Sequence, residues 1–282
     1  MSEKTTAATK KAAPKTSTVK TAAAKPATKK TTTKIDPILR ELLEAGAHFG
    51  HQTARWNPKM GEFIYTARGG VHILDLTKTA EALKSAEKFI EDVTKRGGNV
   101  LFVGTKRQAK DVLAKAAAGA EMPYVNQRWL GGMLTNLETI RKRVLRMKKL
   151  RSQQVENDFA DMSKKDRSKN LKELENLEKI FGGVVDMDTV PAALFVVDMP
   201  REDIAIAEAH KLGIPVVAIC DTNADPDRVE HPIPANDDAI KAVTLITTKI
   251  AEAARVGHEA YRAKAAKDAD MEAAKVATKE EK

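Results

Sequence analysis

Uniformly apolar runs alternate with amphipathic stretches along most of this chain. The runs in "NVLFVG" (99–104), "AALFVVD" (192–198) and "IPVVAIC" (214–220) are short, apolar throughout and bounded by polar or turn residues, so they read as buried strands. The stretches "TKRQAKDVLAKAAAG" (105–119), "REDIAIAEAHKLG" (201–213) and "NDDAIKAVTLITTKIAEAARVG" (236–257) read as helices, each closing on a glycine. "MPYVN" (122–126) adds a strand and "HPIP" (231–234) an edge strand. Upstream, "DPILRELLEAG" is a short helix with Asp36 as its N-cap, Pro37 at the first helical position and Gly46 as its stop. "EFIYTARGGVHILDL" gives two short strands about Gly69-Gly70, and a helix follows from Thr77 to Arg96 with apolar Ala80, Leu83, Ala86, Phe89 or Ile90, and Val93. Strands alternating with helices predict an α/β domain, a three-layer doubly wound and mostly parallel sheet, over 35–132 and 184–257.

The pattern changes over 133–183. "TNLE" (Thr135, Glu138) has the form of a capping box and opens a helix with a narrow seam of Leu137, Ile140, Val144 and Met147. After a polar stretch, "SKKD" (Ser163, Asp166) opens a second helix with Leu171, Leu174, Leu177 and Phe181, ended by Gly182-Gly183. Two helices with narrow apolar seams predict an antiparallel α-helical hairpin that projects from the sheet domain.

Charge sharpens this division. The chain's net charge is +9, yet residues 1–34 hold nine lysines against the single acid Glu3, so the remainder is close to neutral. That arm is Lys/Thr/Ala-rich, cannot offset its own ordering entropy, and is expected to be disordered. Residues 258–282 form a charged Lys/Ala-rich tail. The arm lacks the apolar segment of a secretory signal and the arginines of a transit peptide. No apolar run reaches membrane-spanning length, so a soluble protein is expected. The one cysteine, Cys220, lies within an apolar strand and excludes an internal disulfide framework.

Three groups of residues compete for the chemistry. Asp198 and Asp221 each follow an apolar strand, where doubly wound sheets bind ligands, and Lys106 follows another, so a nucleotide- or metal-dependent enzyme is one reading. Against it, "FVGTKRQA" lacks phosphate-loop spacing, no G-x-G-x-x-G occurs, and aspartates in "DTNADPD" serve equally as turn residues. In "HFGHQTARWNPKM" (48–60), His48 and His51 stand at helical spacing but have no third ligand at a defined interval. A divalent cation near His48, Asp198 or Asp221 is therefore the lesser reading. The third group is basic. Both tryptophans sit in Arg-Trp pairs, Arg55-Trp56 and Arg128-Trp129, beside chain-turning residues. "RKRVLRMKKLR" (141–151) holds seven basic residues and no acid. Like charges this dense repel one another and call for a counter-charge. RNA phosphates supply one; an acidic protein partner is the competing explanation.

With these runs in hand, the chain resembles the universal small-subunit ribosomal protein two family in its bacterial form. "AGAHFGHQTARWNPKM", "GGVHILDLTKT", "LFVGTKRQA", "YVNQRWLGGMLTN", "LEKIFGGVVDM", "LGIPVVAICDTNADP" and "IPANDDA" stand in the family's order. The resemblance implies a flavodoxin-like α/β domain bearing a helical hairpin, without enzymatic activity and without a cofactor. It implies a ribosome-bound, cytoplasmic protein of the small subunit that binds small-subunit ribosomal RNA and helps dock ribosomal protein one, the mRNA-capturing multi-OB-fold protein. Neither a membrane nor a small-molecule substrate is implied. Carried onto this chain, the RNA-binding residues are Arg55, Asn57, Lys59, Arg68, Lys106, Arg107 and Arg128. The basic face adds Arg141, Lys142, Arg143, Arg146, Lys148, Lys149 and Arg151.

Overall fold

The computed structural model describes residues 36–157, 159 and 162–280, with side chains described to residue 268. The basic arm expected over 1–34 lies outside these residues. Helix α1 (Pro37–Glu44) starts as its sequence predicts: the Asp36 side chain accepts from the Ile38 amide. Gly46, at φ +75°, ends the turn that follows. Strands β1 (Phe49–Gln52), β2 (Ile64–Arg68) and β3 (Val71–Leu74) form an antiparallel three-stranded sheet in the order β1-β3-β2. Asp75 caps α2 (Leu76–Lys95), whose stripe of Ala80, Leu83, Ala86 and Ile90 is buried.

The main sheet follows. β4 (Val100–Val103), α3 (Lys110–Gly119) and β5 (Tyr124–Val125) come before the two long helices α4 (Leu137–Asn157) and α5 (Lys164–Phe181). Then come β6 (Ala193–Val197), α6 (Asp203–Leu212), β7 (Val216–Cys220), β8 (His231–Pro234) and α7 (Ile240–Glu280). All five strands of this sheet pair in parallel, in the order β5-β4-β6-β7-β8. Counted along the chain, the order is 2-1-3-4-5, that of flavodoxin-like sheets, with its topological switch between β4 and β6. Strands β4, β6 and β7 are buried at every position, which is why they lack a polar face.

Alternate residues of these strands feed two cores. Val100, Phe102, Phe195, Val217 and Ile219 pack with α2, α3 and α7. Leu101, Val103, Leu194, Val196 and Ala218 pack with α6, Met60 and Trp129 on the other side. Ile140, Val144, Met147 and Leu150 of α4 and Leu174 and Phe181 of α5 belong to that same second cluster. The apolar seam between the two long helices is therefore continuous with the domain core.

Three local expectations change. The stretch around His48 and His51 is a turn and strand, so the pair does not share a helix face. Thr135 does not form a capping box with Glu138, because its amide and hydroxyl both go to Glu208. Gly257 does not stop α7, which runs on through the expected tail region to Glu280. Gly257 instead allows close packing on α2: an added Cβ would collide with Thr94 Oγ1 and lie 2.6 Å from the Glu91 carbonyl oxygen.

Candidate nucleic-acid interface

At the carboxyl ends of the parallel strands, where a ligand would enter this fold, charged side chains of the chain itself meet. Lys106, just beyond β4, places Nζ 2.7 Å from both Asp237 and Asp238 and 3.5 Å from Asp198. Its side chain is 12% exposed. Asp198 adopts the left-handed region, φ +68°, at the end of β6, a conformation that aspartate tolerates better than most residues. Beside it, Glu202 accepts from the Thr105 amide (2.8 Å) and hydroxyl (2.6 Å), while Arg201 Nε donates to that hydroxyl (2.8 Å).

Electrostatics follow from this packing. Burial works against the Lys106 charge, but the hydrogen bonds to Asp237 and Asp238 and the surrounding carboxylates outweigh it and raise its pKa. Burial, then the charges of Asp221 and Asp198, pushes the Asp237 carboxyl up to about 7. Burial also raises Glu202.

Each sequence-predicted residue can now be placed. His51 lies at the edge of the acidic cluster, Nδ1 3.1 Å from Asp221 and Nε2 3.6 Å from Asp238, and the Asp221 carboxylate raises its pKa. Ligand atoms of His51, Asp237 and Asp238 lie within 4.8 Å of one another, so these residues have the donor set for a cation. Lys106 already holds two of the three, and a cation there would compete with its ammonium. His48 is apart from this group, its ring 4.0 Å from that of Phe49 and its pKa lowered by burial.

Asn57 is a cap: its side chain accepts from the Lys59 amide at the start of a short 3-10 turn, Pro58–Phe63. Lys59 Nζ is held by Asp225 at 2.9 Å and Asp227 at 2.8 Å. Lys59 and Lys106 thus carry charges that are matched inside the molecule.

The basic run on α4 divides in the same way. Lys142 pairs with Glu138, Arg146 with Glu173 in a fork of 3.1 and 3.2 Å, Arg151 with Glu178, and Lys148 lies 3.8 Å from Asp186. The counter-charge expected wholly from a partner is therefore supplied in part by α5, whose acids face the run. The rest is unmatched. Arg55, Arg68, Arg107, Arg128, Arg141, Arg143 and Lys149 are exposed, and none of their charged groups makes a hydrogen bond or ion pair among the described residues.

The two Arg-Trp pairs prove unlike. Trp56 is 42% exposed and its ring centre lies 5.1 Å from that of His72. Trp129 is buried, and its indole N–H donates to Glu208 at 3.1 Å. Sequence reasoning missed Glu208, which also accepts from the amides of Gly132, Leu134 and Thr135. Burial would raise its pKa, but those amides and the indole together hold it below the usual glutamate value. The available signal was an acid on the apolar stripe of α6, between Ala205 and Ala209.

The domain is of the flavodoxin-like α/β class, with charged side chains of its own at the carboxyl ends of its parallel strands and exposed arginines on its surface. The chain belongs to the ribosomal protein S2 family, whose model matches residues 42–257. It is 55% identical over 221 residues to the small ribosomal subunit protein uS2 of Coprothermobacter proteolyticus, covering 78% of this chain and 82% of that relative.

Proposed function

We propose that this protein is a structural constituent of the small ribosomal subunit, seated on small-subunit ribosomal RNA and acting in the cytoplasm without catalysis. The observation that carries the reading is the set of exposed cations Arg55, Arg68, Arg107, Arg128, Arg141, Arg143 and Lys149, which make no hydrogen bond or ion pair among the described residues. Arg143 alone lies near enough to Glu173 to help lower that acid's pKa. Neighbouring cations such as Lys59, Lys106 and Arg146 are neutralised at home. Permanently charged guanidinium groups that the fold does not use are suited to phosphate oxygens, which they meet bidentately. Such contacts seat a protein on RNA without reading its sequence. Help in docking ribosomal protein one follows from the family resemblance and forms the second part of the proposal.

Lys106 leaves the set of proposed RNA contacts, because its ammonium is enclosed by Asp198, Asp237 and Asp238. Lys59, paired at the surface, and Asn57 stay in it with the paired cations of α4. The crevice that an enzyme of this architecture would use holds Lys106, Arg201 and Glu202, which favours a binding role over catalysis.

The test is equilibrium binding to purified small-subunit ribosomal RNA across a salt series. With about six to ten phosphates neutralised, affinity falls about 10³- to 10⁵-fold between about 50 and 200 mM salt. Binding that ignores salt would contradict the proposal.

A further inference from the structure

A carboxylate on the buried side of a helix is costly unless donors compensate it. Glu208 lies on α6 and is 8% exposed, and among the described residues no lysine, arginine or histidine pairs with it. One short segment of chain supplies its donors instead. Oε1 accepts from the Trp129 indole at 3.1 Å and the Gly132 amide at 2.7 Å. Oε2 accepts from the amides of Leu134 and Thr135 and from the Thr135 hydroxyl, each at 3.0 Å. The two oxygens thus grip opposite ends of the segment 129–135.

Those two ends lead to different parts of the unmatched surface. Trp129 directly follows Arg128, whose guanidinium makes no hydrogen bond or ion pair among the described residues. Thr135 stands just before α4, which carries Arg141, Arg143 and Lys149. The segment closes through Gly132 at φ +90°, where an added Cβ would also lie 3.2 Å from the Asn136 Cβ. A neutral amide could not take over from the carboxylate, since its NH₂ would face N–H donors on one side.

We infer that Glu208 is a positioning residue for RNA binding: its carboxylate locks segment 129–135 so that Arg128 and the free cations of α4 keep one attitude to the sheet domain before RNA arrives. The inference rests on the RNA-binding reading above. Order set in advance is not charged against binding, whereas a loosened root would have to be ordered by the RNA itself.

Spin labels on the full chain at Val155→Cys, exposed on α4, and Lys88→Cys, exposed on α2, report this attitude directly; Cys220 is buried. The parent should give one narrow distance distribution, and Glu208→Gln a broad one, with the amides of β6 and β7 still protected from hydrogen exchange. Thr135→Val, which deletes only the hydroxyl bond, should broaden it less and serves if Glu208→Gln folds poorly. If the competent attitude falls to about a tenth of the population, RNA affinity falls about tenfold. The salt slope stays the same, because the phosphate contacts are the same.

A distribution as narrow in both variants as in the parent would overturn the inference. So would loss of sheet protection with the distance unchanged, which is the mark of a merely structural residue. Broadening with undiminished affinity would overturn the link to RNA. Failure of the parent itself to bind RNA in a salt-dependent way would instead remove the underlying functional reading, and the distance result would stand apart from it.

Discussion

Replacing Lys106 by methionine separates a structural cation from an RNA-binding one. Methionine keeps much of the side chain's length and apolar stem but removes the ammonium that lies 2.7 Å from Asp237 and from Asp238 and 3.5 Å from Asp198. Asp237 is 1% exposed, so its charge has no ready access to water once the lysine is gone. Removing one partner of a buried ion pair costs about 3–5 kcal/mol, most of it from the stranded charge. That figure is an upper limit at pH 8. In the parent Asp237, with its pKa pushed up to about 7, is mainly ionised there, and loss of Lys106, which lowers that pKa, lets the variant's carboxyl take up a proton rather than stay a stranded charge. A carboxyl whose folded pKa is raised takes up protons more readily folded than unfolded, so its ionisation costs stability as pH climbs from the unfolded value through about 7. Near pH 5 the group is protonated in the fold, so the deficit of Lys106→Met should be smaller than at pH 8, what remains being the lost contacts to Asp238 and Asp198. Urea denaturation of parent and variant at the two pH values measures this, with RNA binding recorded on the folded variant at pH 8. Unchanged stability at pH 8 together with weakened RNA binding would refute the reasoning and return Lys106 to the RNA surface.

The histidines should titrate apart in NMR spectra. His51 should titrate above the ordinary histidine value because the Asp221 carboxylate holds its proton, and His48 and His231 below it because burial opposes the charge. The stability that His51 contributes is present in full below about 6.5, the unfolded value, and is lost as pH rises through its folded pKa. His51→Gln should therefore cost more stability at pH 5.5 than at pH 8, and the reverse order would show that the Asp221 contact does not persist in solution. Gly257→Ala should destabilise the fold by about 1–3 kcal/mol through overpacking against Thr94 and Glu91, despite alanine's better helix propensity. A stabilised variant would show that α7 does not lie on α2 at that point.

Most of the α/β architecture was readable from pattern because its signals are local. Uniformly apolar strands such as 100–103 and 193–197 and amphipathic helices such as 76–95 declare themselves within a few residues. Caps at Asp36 and Ser163 did so too. Errors arose where a distant residue overrode a local signal. Thr135 matched a capping box, but Glu208, 73 residues away, captured its amide and hydroxyl. Gly257 matched a helix stop, but α2 passes so closely that only glycine fits. The proposed RNA-facing set was readable as charge but not as free charge. Lys106 meets Asp237 across 131 residues and Arg146 meets Glu173 across 27, and no window of sequence reveals such pairings. Composition finds cations, and tertiary structure decides which of them remain available.

The most direct measurement is sedimentation with small ribosomal subunits that lack this protein, comparing the parent with an Arg141→Ala, Arg143→Ala, Lys149→Ala triple variant across a salt series. The parent should co-sediment at low salt and dissociate at high salt. The triple variant should dissociate at lower salt, with the slope of log affinity against log salt shallower by about 2–3, close to one phosphate contact per residue removed. An unchanged slope, or association of the parent that persists at high salt, would contradict the assignment of these unmatched cations to ribosomal RNA.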